Sequence, residues 1–257
     1  MKNQIAGLLL LVTTLFIYIG CANSSEKNLP FSVDDAIASE RSTLNQELTN
    51  TLSYMGNEER LAYDVYNKLY EKYGTRQFTN IANNSEYKHI KAVQGLVKKY
   101  FSNSQPNFTN VDAPPLNYKN TAIEDMEAGV YDIADIQYLY DLLISKGSAS
   151  EIDALKVGCI VEVVDINDLD NFIKVAENIN ASDIVAVFNF LRNGSYHHYW
   201  AFDRGLKDKG VPNGCCSLGV VDDVNYCHPE YPNSSNENKN SHKEGRRGNR
   251  RGNRRGN

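Results

Sequence analysis

The segment SEYKHIKAV, residues 85–93, decides the fold. Glu86 and His89 stand three residues apart, so on a helix their side chains are neighbours on one face. That face is the apolar one, because Ala82, Val93 and Leu96 continue the same stripe through FTNIANNSEYKHIKAVQGLVKKYF, residues 78–101. A solvated ion pair belongs on the opposite side. A carboxylate and an imidazole on a core-facing stripe need a partner, because burying an unpaired charge costs several kcal/mol.

Helical periodicity of the same kind recurs along the chain. It begins near Ser32 and runs with interruptions to Gly74, a natural C-terminal stop. Within it, NEERLAYDVYNKLYEKYG (57–74) puts Leu61, Ala62, Val65, Tyr66 and Leu69 on one side. The helix starting near Phe78 ends in a crossing, SNSQPNFTNVDAPPLNYKN (102–120), which is rich in Pro and Asn. A short helix over Asp135–Ser145 follows and is closed by Gly147. A long helix from Ser148 or Ser150 carries Leu155, Cys159, Glu162, Ile166, Leu169 and Ile173. A last one, with Ser182-Asp183 as its N-cap, aligns Ile184, Val187, Leu191, Ser195, His198 and Phe202. Strand-like alternation is nearly absent. Four long amphipathic helices with a long connection between the second and third predict an all-α fold, a four-helix bundle with a crossover and a short extra helix.

Each of the four stripes carries a polar interruption near its middle: Glu59; Glu86 with His89; Glu162 with Asp165 in or beside the stripe; Ser195 with His198. One would mean little, whereas four point to a common meeting place. Carboxylates mixed with imidazoles suit iron or manganese, and two neighbouring cations need bridging carboxylates between them. Carboxylate-bridged bundles supply one Glu from each of two helices and Glu-x-x-His from each of the other two. Here Glu59 and Glu162 are the single glutamates and Glu86-Tyr87-Lys88-His89 is the motif. The fourth helix has Ser195-Tyr196-His197-His198, with serine in the expected glutamate position.

ERLAYDVY (59–66), FTNIANNSEYKHIKAV (78–93), VEVVDINDL (161–169) and SYHHYWAF (195–202) together resemble an uncharacterised prokaryotic family of ferritin-like domains, distantly similar to rubrerythrins, over about residues 45–206. The resemblance implies a di-iron-type site with Glu59, Glu86, His89, Glu162 and His198 as ligands. Glu86 and Glu162 are its bridging candidates; Glu59 and the two histidines are terminal. It further implies oxidative chemistry on ferrous iron with dioxygen or peroxide. Ser195 departs from the pattern by removing one carboxylate. Asp165, one turn after Glu162, is the candidate to replace it, or else a residue that holds a ligand in place. The loss of that carboxylate also leaves open a single-metal site. No Cys-x-x-Cys rubredoxin module is present. Of the adjacent Glu58 and Glu59, one is expected to be solvated, and the match selects Glu59 as the ligand. His197 is expected to be solvated or to support a ligand. Tyr66 is expected either to hydrogen-bond a ligand carboxylate or, as the preferred reading, to be a half-buried structural tyrosine. Ser195, like Asp165, is a candidate additional ligand or supporting residue.

The ends of the chain differ from its body. MKNQIAGLLLLVTTLFIYIGCAN has Lys2, an apolar run from Ile5 to Ile19 and then Gly20-Cys21. That layout predicts a signal peptide over residues 1–21, of the lipoprotein type with Cys21 as membrane anchor, or otherwise a plain cleaved signal or an uncleaved anchor. The expected location is the cell envelope. Residues 22–31 read as a polar spacer and residues 32–210 as the helical domain. Residues 211–257 read as a disordered tail containing cysteines and an Arg/Gly/Asn-rich repeat.

The chain's net charge is −5, yet KEGRRGNRRGNRRGN (243–257) contributes one lysine, six arginines and one glutamate, a net +6 that leaves −11 on the rest. The tail suits contact with anionic surfaces, and no specific nucleic-acid partner is expected. Cys215, Cys216 and Cys227 are expected to supply one disulfide in an oxidising compartment, and Cys159 reads as a small buried apolar residue. The alternative function for the whole chain is a metal-free helical interaction module of the cell envelope.

Overall fold

Asn45 opens the first long helix by accepting the Leu48 N–H at 2.8 Å, satisfying one amide that has no partner within the helix. In the computed structural model, residues 27–101 and 121–233 are described. The predicted signal peptide with Cys21, the first part of the spacer, the 102–120 crossing and the RRGN tail lie outside them. Helix α1 spans Phe31–Ala38 and α2 spans Gln46–Tyr73, so the stretch read as one interrupted helix is two. Gly74 closes α2 in the left-handed region at φ 67°, its N–H on the Tyr70 carbonyl.

The next helical segment has three parts: α3 (Arg76–Ile81), a π-helical turn (Ala82–Glu86) and α4 (Tyr87–Tyr100). The π turn holds Asn83, Asn84 and Ser85, poor helix formers that compete for backbone hydrogen bonds. Asn83 Nδ2 donates to the Thr79 carbonyl at 3.1 Å. Helix α5 spans Ala134–Gly147, α6 Glu151–Asn178 and α7 Ser182–Asp208. Ser150 caps α6 through the Asp153 N–H at 3.1 Å.

Helix α7 departs from expectation: neither Ser182 nor Asp183 caps it by side chain. Asp183 instead receives Lys99 Nζ at 2.6 Å, the Tyr100 hydroxyl at 2.5 Å and the Ser42 hydroxyl at 2.7 Å, tying the start of α7 to the end of α4.

Helices α2, α4, α6 and α7 pack against one another, with α6 and α7 in the most extensive contact, and α5 lies against α2 and α6. Two apolar clusters form along this packing. One holds Val65, Tyr66, Phe78, Leu155, Val163 and Phe202; the other holds Met55, Ile90, Val93, Leu169, Val187 and Leu191. In every long helix the polar interruption falls between residues of one cluster and residues of the other. The polar residues therefore form a layer between two hydrophobic cores.

The chain from 211 to 233 is folded onto the helices, so the ordered domain extends past residue 210, where a disordered tail was expected. A 3-10 turn (Gly214–Leu218) packs on α7, and a small antiparallel hairpin pairs β1 (Val220–Val221) with β2 (Val224–Asn225). Two disulfides hold this segment, Cys159–Cys215 and Cys216–Cys227. Cys159 is buried as expected, but it is bonded across 56 residues rather than standing alone. Among the described residues no helix is long and apolar enough to cross a membrane.

Candidate metal centre

The π turn, α2, α4, α6 and α7 carry the five expected residues to one place. Glu59, Glu86, His89, Glu162 and His198 are all buried. His89 Nδ1 lies 2.9 Å from Glu86 Oε2 and 3.1 Å from Glu59 Oε2. His198 Nδ1 lies 3.0 Å from Glu86 Oε1 and 3.2 Å from Glu162 Oε2. The two imidazole rings are 5.5 Å apart between centroids. The result is a row, Glu59–His89–Glu86–His198–Glu162, continued by the Tyr66 hydroxyl, which donates to Glu162 Oε1.

Two groups of potential ligand atoms emerge: Glu59, Glu86 and His89 in one, Glu86, Glu162 and His198 in the other, each with its atoms within 4.8 Å of one another. A cation with bonds of about 2.0–2.3 Å can span such a set. Glu86 is common to both groups, one oxygen facing each imidazole. Glu162 belongs to one group only, so of the two bridging candidates the geometry favours Glu86.

The electrostatics of the layer follow from burial and pairing. Burial pushes the His89 and His198 imidazoles toward the neutral form, but their carboxylate neighbours outweigh it. Glu59 and Glu86 raise His89 well above its ordinary value, and Glu86 with Glu162 raise His198 to about 10. Burial would also raise Glu86, yet the two imidazoles, His198 first, hold it well below the usual carboxylate range. Glu59 is pushed up to about 7, mainly by burial. Burial likewise raises Glu162. Carboxylate–imidazole contacts hold the layer together.

Asp165 and Ser195 lie against this row. The Ser195 hydroxyl donates to Asp165 Oδ2 at 2.5 Å, so an α6 carboxyl group stands at the place where α7 lacks one. Burial, with the Glu59 and Glu162 charges added, raises Asp165 well above its ordinary value. The expectation of a solvated Glu58 fails here: it is 7% exposed, with one carboxyl oxygen buried and without a hydrogen-bond partner. Of the two readings of Tyr66, the preferred half-buried one misses and the other holds, since Tyr66 is fully buried with its hydroxyl on Glu162.

Each miss turns on an element that the α2 stripe alone does not reveal. Helix α5 covers a second side of α2, and α6 brings Glu162 to Tyr66. His197 is exposed. Sequence reasoning also missed Gly194, whose bare Cα leaves room for the His89 ring on the facing helix. Its signal was a glycine one residue before Ser195 in the middle of a long helix, where glycine is otherwise unfavourable.

The chain is 38% identical over 167 residues to an uncharacterized protein, MJ0754, of Methanocaldococcus jannaschii, spanning 65% of this chain and 79% of that one. The crystal structure of hypothetical protein MJ0754 from Methanococcus jannaschii superposes with a TM-score of 0.56 at 32% identity, covering 79% of this chain and 95% of that one. The family described as Uncharacterized protein domain (DUF2202) matches residues 49–219, which contain every residue of the polar layer, and the chain belongs to that family.

Proposed function

We propose that this chain is a ferritin-like four-helix bundle that holds two neighbouring first-row metal ions, iron foremost and manganese as the alternative, bridged by Glu86. The observation that carries the reading is Glu86 itself: one buried carboxylate shared by two groups, each completed by one histidine and one further glutamate. The donor set of carboxylate oxygens and imidazole nitrogens suits such ions. The metal-free layer also has the marks of a site built for positive charge. Both histidines face carboxylates that favour their charged form, and Glu59 Oε1 is buried without a partner.

In this reading Glu59 and His89 hold one ion and Glu162 and His198 the other, Tyr66 orients Glu162, and Asp165 offers the oxygen that Ser195 cannot. Bound iron would supply oxidation of ferrous ions by dioxygen or peroxide. The protein's part is to fix the two groups side by side, keep bulk water out and accept or release protons at the imidazoles.

The chain is proposed to act outside the cytoplasm, anchored through a lipid on Cys21. The Lys2–Cys21 segment supports this placement, and so do two disulfides, which persist in oxidising compartments. The basic tail is then free to meet anionic envelope polymers.

The test is elemental analysis of the full chain after aerobic loading with ferrous iron. Two irons per chain are expected, none in Glu86→Ala because both groups share it, and one in Glu59→Ala. Absence of retained metal in the unmodified chain would refute the reading and leave the layer as a structural polar network in an interaction module.

A further inference from the structure

Glu58 has no role in either ligand group, yet its carboxyl group is enclosed and one oxygen has no partner. Such a group is costly to bury, and its surroundings suggest what it serves. A cleft between α2, α5 and α6 reaches the metal centre. Its lining includes Glu59, Glu86 and Glu162 of the centre, Glu58 and Asp165, and apolar side chains among them Leu139 and Leu143 of α5. Five carboxylates and no basic side chain line it. Asp168, one turn beyond Asp165 on α6 and partly exposed, shares a hydrogen bond with Glu58. Carboxyl groups therefore run from a solvent-reached position, Asp168, past Glu58 and Asp165, to the ligands themselves.

The cleft encloses about 30 Å³, room for one or two water molecules. A divalent cation carries a full shell of water and cannot enter with it. The lost water oxygens must be replaced by protein oxygens along the way, and hard carboxylate oxygens are the natural substitutes. The apolar side chains of the cleft offer none, so the replacement falls to its carboxyl groups.

From this arrangement we infer that Glu58, Asp165 and Asp168 form the uptake path by which a hydrated divalent cation is stripped of water and passed to the Glu/His centre. The inference rests on the reading of that centre as a metal site. Glu58 is then a transit group rather than a ligand, which explains why it is buried beside Glu59 without completing either group.

The test follows uptake of cobalt(II), whose visible absorption changes on coordination, by rapid mixing with the metal-free full chain. Glu58→Gln keeps the shape and removes the carboxyl group's capacity to ionise against a cation. Asp168→Asn does so at a partly exposed position where folding is not at stake. Glu47→Gln, exposed on the same helix α2, controls for general surface charge.

Glu58→Gln and Asp168→Asn are expected to slow uptake about tenfold, as for other charge-steered encounters, and Glu47→Gln to change it little. The final spectrum and cobalt content should match those of the unmodified chain. Equal rates in all four proteins would overturn the path while leaving the metal centre standing. Lower cobalt content in Glu58→Gln would also overturn it, by making Glu58 a ligand. No cobalt uptake by the unmodified chain would bring down the metal centre, and the path with it.

Discussion

Gly194→Ala offers a test of the centre that touches no candidate ligand. A Cβ built on Gly194 would stand 2.3 Å from His89 Nε2 and 2.5 Å from the same ring's Cε1. Ordinary contact is about 3.5 Å, so the overlap is roughly 1 Å. The ring cannot simply slide away. Its Nδ1 faces Glu59 and Glu86, and its edge packs against Phe190 at 5.4 Å between centroids. Relief requires His89 to tilt off its carboxylates, which misplaces a ligand of the first group, or α7 to move off α4, which displaces His198 of the second.

Two opposing energies set the stability of the variant. Alanine is favoured over glycine inside a helix by about 1 kcal/mol, and overpacking costs about 1–3 kcal/mol. The metal-free variant should thus range from near-neutral to about 2 kcal/mol less stable. Metal affinity is the sharper readout, since disturbing a ligand's support typically costs about 10–100-fold. Isothermal titration with cobalt(II) should show at least one of the two groups weakened by that factor, the first if His89 tilts and the second if α7 shifts. In a His89→Ala background the clash is gone, so the same Gly194→Ala change should stabilise by about 1 kcal/mol, a sign reversal that exposes the coupling. If Gly194→Ala alone were stabilised by about 1 kcal/mol and still bound two ions at unchanged affinity, the role given to His89 would be wrong.

Three further outcomes are expected. Tyr66→Phe removes the donor to buried Glu162 Oε1; it should cost about 1–3 kcal/mol in urea unfolding and weaken the second group. Replacing Cys159 and Cys215 together by alanine opens a link spanning 56 residues, and the chain-entropy model gives a loss of roughly 4 kcal/mol by denaturant titration. The third is a pH dependence. His198 is raised to about 10 from an ordinary 6.5, so in the metal-free state its contribution to stability is complete below pH 6.5 and disappears as pH rises through 10. Metal displaces the same proton, so affinity should rise across that window with proton release, measured in weakly buffered titrations. A flat affinity profile would contradict it.

The polar layer was readable in the sequence because charge on an apolar stripe is expensive, and four such interruptions at matching depth offset that cost only by meeting one another. Glu59, Glu86, His89, Glu162 and His198 were legible for that reason. Local patterns could not show what depends on a third element. Glu58 looks solvated until α5 is laid over α2, and Tyr66 looks peripheral until Glu162 arrives from α6. The π turn was hidden as well, since Asn83-Asn84-Ser85 weakens a helix without specifying which turn replaces it. Cys159 read as a lone apolar residue because its partner, Cys215, comes from a segment whose composition suggested disorder. Composition registers the lack of a core, and residues 211–233 instead borrow the core of α7 and two covalent links.

The pairing of Asp165 with Ser195 bears on how complete the centre is. A glutamate at 195 would bring a carboxylate from α7, whereas this chain brings one from α6 and lets the serine hydroxyl hold it at 2.5 Å. Burial, with the Glu59 and Glu162 charges added, shifts that carboxyl group toward its neutral form. Positive charge beside a buried carboxyl favours the ionised form, so bound cations would oppose that shift. Asp165→Asn keeps the size and polarity of the group and cannot ionise. It should leave metal-free unfolding within about 1 kcal/mol of the unmodified chain, since the hydrogen bond to Ser195 survives. It should also lower affinity for the pair of ions, since an amide brings no negative charge beside them. A variant that lost metal-free stability but kept full affinity would show the opposite: that Asp165 belongs to the scaffold, and that a centre missing its fourth-helix carboxylate has no replacement for it.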